Sequence, residues 1–272
     1  MSDLLASEMR AVGDSWISAL RLNECNAIEW YRPDSRRGKY IYVICACRPR
    51  TRDQKRVVDI IGVSCYPSKD LWTWKNEGIV LAAEETNEIH DLYKSSIIER
   101  PKVIYNEKMG KFVMWMHIDD ANYTKASIGV AISDYPSVFK DDDSLQSLIY
   151  SSDDNSELHI GPLTEDYMDV SGGMRRILVG QHREASLFIQ APGAYNMITS
   201  SCTGWAPNEA LAHAVESILG PCKMFKLATF LAQSTFVIPL PEFLGWFVFM
   251  EDRCNPADLR DSRYACVDHP VD

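Results

Sequence analysis

Nothing in this chain points to a structural metal, a nucleic acid or a membrane. Its eight cysteines (Cys25, Cys45, Cys47, Cys65, Cys202, Cys222, Cys254 and Cys266) include no C-x-x-C pair. That disfavours a zinc knuckle, and they read as mostly free, partly buried thiols. Basic residues are in deficit: 28 Lys and Arg stand against 38 Asp and Glu, a net charge of -10. Such a surface repels phosphate backbones and anionic lipid, so neither is an expected partner. Long apolar runs are missing too. The longest, such as Ile41–Cys47 and Phe243–Met250, are strand-sized and far below the roughly 18 to 20 residues of a membrane helix. The N-terminus carries Asp3 and Glu8 without a basic-then-apolar signal, so no secretory address is expected from the chain as written. Helical periodicity is confined to Ser7–Leu20 and Asn208–Ser217. The Asp141-Asp142-Asp143 run is explained by a turn between strands, so no metal and no cofactor is assigned.

What is present is strand. A hydrophobic content of 46% with 10% aromatics is ample for a buried core in 272 residues. From about Val57 a theme of apolar strand, polar or Gly turn and second apolar strand recurs at intervals of roughly 40 residues. Lys102–Tyr105 with Phe112–Met116 is one copy. The others are Val138-Phe139 with Leu148–Tyr150, Leu187–Ile189 with Tyr195–Ile198, and Thr235–Ile238 with Trp246–Met250. A less regular fifth runs from Gly38–Cys47 through Asp59–Cys65 and Trp72-Thr73-Trp74 to Ile79–Leu81. Val, Ile, Tyr, Phe and Trp bounded by Gly, Pro, Asn and Asp are the strand signal. Five such units predict an all-β, five-bladed β-propeller over residues 57–272, preceded by a poorly specified leader over residues 1–56. A β-sandwich with evenly spaced hairpins is the competing architecture.

In a propeller the first strand of each blade lines the central channel, so residues opening those strands converge. That phase holds Glu99-Arg100, Arg183-Glu184 and Gln233-Ser234. Two carboxylates and an amide near an axis suit glycoside hydrolysis, which needs one acid to protonate the leaving oxygen and a second group to act on water or sugar. Each glutamate has an arginine neighbour, and a pair of solvated ion pairs is the bland reading of the same dipeptides. Among the aromatics, Trp115 sits in an alternating strand and is expected in the core. Tyr123 and Trp205 lie in polar loops, exposed enough to stack on sugar. Asn122-Tyr123-Thr124 fits a glycosylation sequon, a triplet common by chance.

Several ordered stretches carry a family resemblance. They are Ser68–Trp74, Glu99–Asn106, Met114–His117, Gly180–Ala185, Cys202–Ala210 and, near the end, Asn255–Tyr264. Together they resemble the galactan 1,3-β-galactosidase branch of glycoside hydrolase family 43, in its plant-like form, over roughly Val57 to Tyr264. The resemblance implies a five-bladed propeller that releases galactose from β-1,3-galactan, the backbone of cell-wall arabinogalactan, with inversion. By motif it places Glu184 as the general acid, Glu99 as an acidic residue of the pocket and Gln233 as an amide beside the attacking water. Tyr123, Asn155, Thr203 and Asn208 fall on or next to sugar-contacting positions, and Trp205 lies in the same loop. The implied partner is a carbohydrate substrate acted on by a monomer, in the Golgi lumen or outside the cell.

The chain departs from the family in definite places. Between Ser133–Pro136 and Val138–Asp141 the family has about twenty more residues ending in Ser-Arg-Asp, whose aspartate tunes the acid. Here Tyr135 stands near that aspartate, and Asp134 is one residue out of phase. The first blade lacks an Asn-Ala-His-Gly segment, and Cys222 and Cys254 replace expected tryptophans. The first and third blades are therefore expected to be incomplete. The alternative function is an inactive, shortened carbohydrate-binding propeller, and a protein-interaction propeller is a third.

Overall fold

A computed structural model describes residues 29–31, 41–47, 59–68, 75–133, 147–191, 194–204, 206–215, 222–226, 231–239, 246–253, 257 and 263–270. Every regular element among them is a strand, and they form five antiparallel sheets in chain order. The first sheet holds β1 (Glu29–Tyr31), β2 (Ile41–Cys47), β3 (Gly62–Ser68) and β4 (Ile79–Ala82). The second holds β5 (Ile97–Asn106), β6 (Lys111–Asp119) and β7 (Ser127–Ser133). The third holds β8 (Ser147–Ser152), β9 (Glu157–Pro162) and β10 (Arg175–Ile177). The fourth is β11 (Arg183–Ala191), β12 (Ala194–Ser201), β13 (Leu211–Val215) and β14 (Cys222–Lys226). The fifth is β15 (Gln233–Pro239), β16 (Trp246–Arg253) and β17 (Arg263–Pro270).

Each sheet pairs strands that follow one another in the chain, so every sheet is an antiparallel meander. The core lies between consecutive sheets, and β3 is buried at every position, hence on both faces. Ile60, Val63 and Cys65 of the first region pack on Ile98, Val103, Met116 and Ile118 of the second. Val113 and Trp115 meet Leu163 beyond β9. Leu158, Ile160 and Ile177 of the third sheet meet Met197 of the fourth. Ile198 and Ala212 of the fourth meet Val237 and Phe249 of the fifth. The first sheet in turn touches the fifth through β1 and β15. This cyclic order is consistent with a five-bladed propeller. Truncating Phe249, 2% exposed at one of these seams, costs about 3 to 5 kcal/mol.

Three expectations from sequence meet the structure here. Asn208–Ser217 is not helical where described: Leu211–Val215 is β13, paired on both sides with β12 and β14. Its Ala-rich local preference yields to non-local pairing that buries Ala212 and His213. The other expected helix, Ser7–Leu20, lies outside the described residues, as do Val138-Phe139, Asp141–Asp143 and Trp72–Trp74. β2 pairs with β3 from Ile41↔Ser68 to Cys47↔Gly62, so the first sheet draws on residues before position 57. Trp115 is in the core, 8% exposed, with its indole N–H donated to the carbonyl of Tyr167 at 2.8 Å.

Candidate active site

Three strands open their sheets with the same irregularity. The β5–β6 ladder shifts register between Glu99 and Lys102, the β11–β12 ladder between Glu184 and Leu187, and the β15–β16 ladder between Ser234 and Phe236. A bulge bends its strand and re-aims the adjoining side chains, so the polar residues at the three bulges leave the regular alternation of the sheet. At the first of them Arg100 adopts φ 49, a left-handed conformation that side-chain-bearing residues seldom take.

Side chains join these strand starts. The Arg100 guanidinium donates through Nη2 to Gln233 Oε1 at 3.1 Å and through Nη1 to the carbonyl of Ser234 at 3.5 Å. Gln233, 5% exposed, donates its own amide to the carbonyl of Gly204 at 2.5 Å. Ser234 donates its backbone N–H to Ser200 Oγ at 2.7 Å, and Ser200 is the cross-strand partner of Glu184. The second, fourth and fifth sheets therefore meet at Glu99-Arg100, Glu184 and Gln233-Ser234, the grouping expected from the repeat phase.

The two glutamates sit in opposite surroundings. Tyr123 donates its hydroxyl to Glu99 Oε1 at 2.7 Å, and His117 Nδ1 lies 3.2 Å from Glu99 Oε2. Burial by itself would raise the pKa of Glu99. The bonds from His117 and Tyr123, with the positive charges of His117 and Arg100, overcome it and hold the carboxyl below its ordinary value. The carboxyl of Glu184, half-buried, has no hydrogen bond to any described residue. Burial pushes its pKa up and the charge of Glu99 adds to that, against the pull of Arg100 and Arg183.

Arg183 is no surface ion-pair partner. It is 5% exposed and turns to the other face of β11, where it donates to Thr199 Oγ1, Ser201 Oγ and the Thr199 carbonyl. The Arg100 contacts likewise go to the fifth sheet rather than to Glu99. Solvated Glu-Arg pairs, the bland reading of the two dipeptides, are therefore not what forms.

The expected sugar contacts fall into distinct groups. Tyr123 is 51% exposed at φ 56, with its ring centroid 6.2 Å from that of His117. Asn155 is exposed at φ 58 in the β8–β9 turn, and its carbonyl accepts from the Cys202 thiol at 3.8 Å. Asn208, 8% exposed, clamps its own loop: it accepts from the Ser201 N–H at 3.0 Å and donates to the Ser201 carbonyl and to Thr203 Oγ1. Thr203 passes its hydroxyl proton to the Ala206 carbonyl at 2.7 Å. Asn208 and Thr203 thus shape the loop that Gln233 grips through Gly204. Trp205 lies outside the described residues. Cys202, beside Glu184, is a free thiol whose pKa burial and that carboxylate push up to about 11. Among the described residues no cluster of His, Cys, Asp and Glu is arranged to hold a metal ion, and no helix is long and apolar enough to cross a membrane.

Sequence reasoning missed Arg100 as the link between sheets, and His117 with Asp119 behind Glu99. The signal was available. Trp115, His117 and Asp119 alternate along one strand, and a His and an Asp on one side of an apolar strand need a polar destination.

Comparison with solved structures decides the family. A GH43 β-1,3-galactosidase solved with galactodeoxynojirimycin is 32% identical over 92% of this chain and 92% of that one, with a TM-score of 0.77. The chain belongs to glycoside hydrolase family 43. An exo-β-1,3-galactanase from Phanerochaete chrysosporium, solved with β-1,3-galactotriose, is 27% identical over 92% of this chain, with a TM-score of 0.75. The exo-β-1,3-galactanase of Clostridium thermocellum is 29% identical over 91%, with a TM-score of 0.74. This family 43 chain spans 60% and 59% of the lengths of those two galactanases. No protein-family model and no curated protein sequence matches it.

Proposed function

We propose that this family 43 protein is a β-1,3-galactan-directed glycoside hydrolase that releases galactose with inversion, on a propeller whose five blades are the five sheets, β1 and β2 included. The observation that carries this reading is the pair of glutamates at matching bulges with their protonation driven apart, since an acid and an ionised carboxylate side by side are what the reaction uses. The neighbours support it, because their bound molecules are a galactose-type inhibitor and a β-1,3-linked galactotriose.

Glu184 serves as the general acid. Its raised pKa keeps a proton available, and with no hydrogen bond to a described residue its carboxyl is free to deliver that proton to the glycosidic oxygen as the bond to the anomeric carbon breaks. Glu99 stays ionised and faces the positive charge that develops on the sugar ring. Gln233 orients the attacking water. Arg100 occupies one lone pair of its carbonyl and Gly204 one N–H of its amide, which leaves one acceptor and one donor in a fixed plane. A neutral amide takes no proton. The water sheds its own to solvent after the new C–O bond has formed, when the oxonium is strongly acidic. The family's acid-tuning aspartate is not needed for this assignment, because burial and Glu99 already raise Glu184.

The test is release of galactose from a β-1,3-galactooligosaccharide by the purified protein, with Glu184→Gln as control and NMR of the first-formed anomer. Release that disappears in a variant with an unchanged cooperative melt supports the hydrolase. A folded wild type that binds the oligosaccharide and releases nothing supports the binding propeller instead.

A further inference from the structure

We propose that His117, anchored by Asp119, is a positioning residue for hydrolysis that fixes the carboxylate of Glu99 in the site. The inference rests on the hydrolase reading above and adds a group that does not itself touch the substrate.

The geometry comes directly from the sheet. Glu99 and His117 are cross-strand partners on β5 and β6, so their side chains share a face, and Asp119 lies two residues further along the same face. The imidazole bridges them, with Nδ1 3.2 Å from Glu99 Oε2 and Nε2 3.0 Å from Asp119 Oδ2. Asp119 is 2% exposed and is itself held, its Oδ1 accepting the backbone N–H groups of Asp120 and Lys125 at 2.9 Å each. The order of support therefore runs from backbone to Asp119, to His117, to Glu99. Tyr123 closes the other Glu99 oxygen from the loop above.

The donor count fixes the protonation state. Both ring nitrogens face carboxylate oxygens, and neutral imidazole has only one N–H. The imidazolium alone makes both bonds. Burial works against that charge, and the bonds and charges of Glu99 and Asp119 outweigh it, so His117 stays protonated above the pH of a free imidazole. The other charged groups acting on Glu99 and Glu184 are Arg100 and Arg183, whose guanidinium hydrogen bonds go to Gln233, Ser234, Thr199 and Ser201 rather than to either carboxylate. His117 is thus the cation in direct contact with Glu99.

The consequence is a specific pH signature. Glu99 must be ionised, so its lowered pKa sets the acid limb of kcat/KM, and Glu184 sets the basic limb. Replacing His117 by Gln removes the charge and leaves at most one donor. The Glu99 pKa then rises, and the acid limb moves to higher pH by about one to two units. Turnover falls about 10- to 100-fold through lost orientation, with KM changed far less. Asp119→Asn separates charge from geometry. Its amide can donate to Nε2, leaving a neutral imidazole that still donates Nδ1–H to Glu99, so the limb moves up while kcat drops less than in His117→Gln.

The experiment is the full pH profile of galactose release for wild type, His117→Gln and Asp119→Asn, each checked for a cooperative melt. Upward movement of the acid limb in the folded variants is the expected result. Should His117→Gln fail to fold, the Asp119→Asn profile decides. An active wild type with an unmoved limb and unchanged kcat in a folded variant overturns this inference and leaves the hydrolase reading standing. A folded wild type that releases no galactose overturns both.

Discussion

The start of β5 and the start of β11 use one backbone device for opposite ends. Each opens a sheet, each breaks register directly after a glutamate, and each glutamate has an arginine neighbour. At β5 the carboxylate is surrounded by donors: a tyrosine hydroxyl on one oxygen and an imidazolium on the other. At β11 the cross-strand neighbour of Glu184 is Ser200, whose hydroxyl is engaged with Ser234 of the fifth sheet. The arginine beside Glu184 turns away into a pocket of neutral acceptors. The lesson is that the bulge places a carboxylate, and its neighbours decide what that carboxylate does. Hydrogen-bond donors and cations outweigh burial at Glu99 and lower its pKa, whereas at Glu184 burial and the charge of Glu99 outweigh the pull of Arg100 and Arg183 and raise it.

Four substitutions test this contrast, in descending order of effect. Glu184→Gln removes the proposed proton donor and is expected to lower the rate of galactose release about 10²- to 10⁴-fold, with the melting temperature little changed. An assay with good-leaving-group aryl galactosides sharpens the result, since a loss smaller than on the natural linkage assigns the proton to the leaving oxygen.

Glu99→Gln removes the anion proposed to face the ring, whose charge also raises the pKa of Glu184. Turnover is expected to fall about 10²-fold. The basic limb of the pH profile moves down, because Glu184 without that neighbouring charge gives up its proton at lower pH. An unmoved basic limb would mean that the two glutamates do not sense each other.

Asn208→Ala leaves the Ser201 N–H and carbonyl and the Thr203 hydroxyl without their shared partner. Thermal or urea unfolding should then show about 1 to 3 kcal/mol of lost stability. KM should rise as the loop behind Gln233 loosens. Tyr123→Phe, the mildest change, removes one donor from Glu99 and keeps the aromatic face. The Glu99 pKa rises toward its ordinary value and the acid limb moves up by a few tenths of a unit, less than in His117→Gln.

Much of this was legible in the chain itself. The recurrence of hairpins located the paired strands β5–β6, β11–β12 and β15–β16, because period-two alternation and turn residues are local signals. The phase of that recurrence singled out Glu99, Glu184 and Gln233 before any contact was known. Leu211–Val215 was not legible, since an alanine-rich stretch prefers helix until two neighbouring strands pair with it. The chain makes Arg100 the neighbour of Glu99, yet its hydrogen-bond partners lie 133 and 134 residues away. The resemblance places Asn208 and Thr203 on or next to sugar-contacting positions, and only the folded loop shows the hydrogen bonds by which they also close it.

The sequence by itself determined the predominance of strand, the recurring hairpins and the set of polar residues at the strand starts, because each depends on composition and periodicity over a few neighbouring residues. It also set the negative surface charge, which is a sum over the chain. Only the tertiary structure set the two similar glutamates apart, lowering the pKa of Glu99 and raising that of Glu184. Protonation follows from burial and from nearby donors and charges, and Tyr123 and His117 at Glu99, like Arg100 and Glu99 at Glu184, come from loops and strands that meet only when the chain is folded.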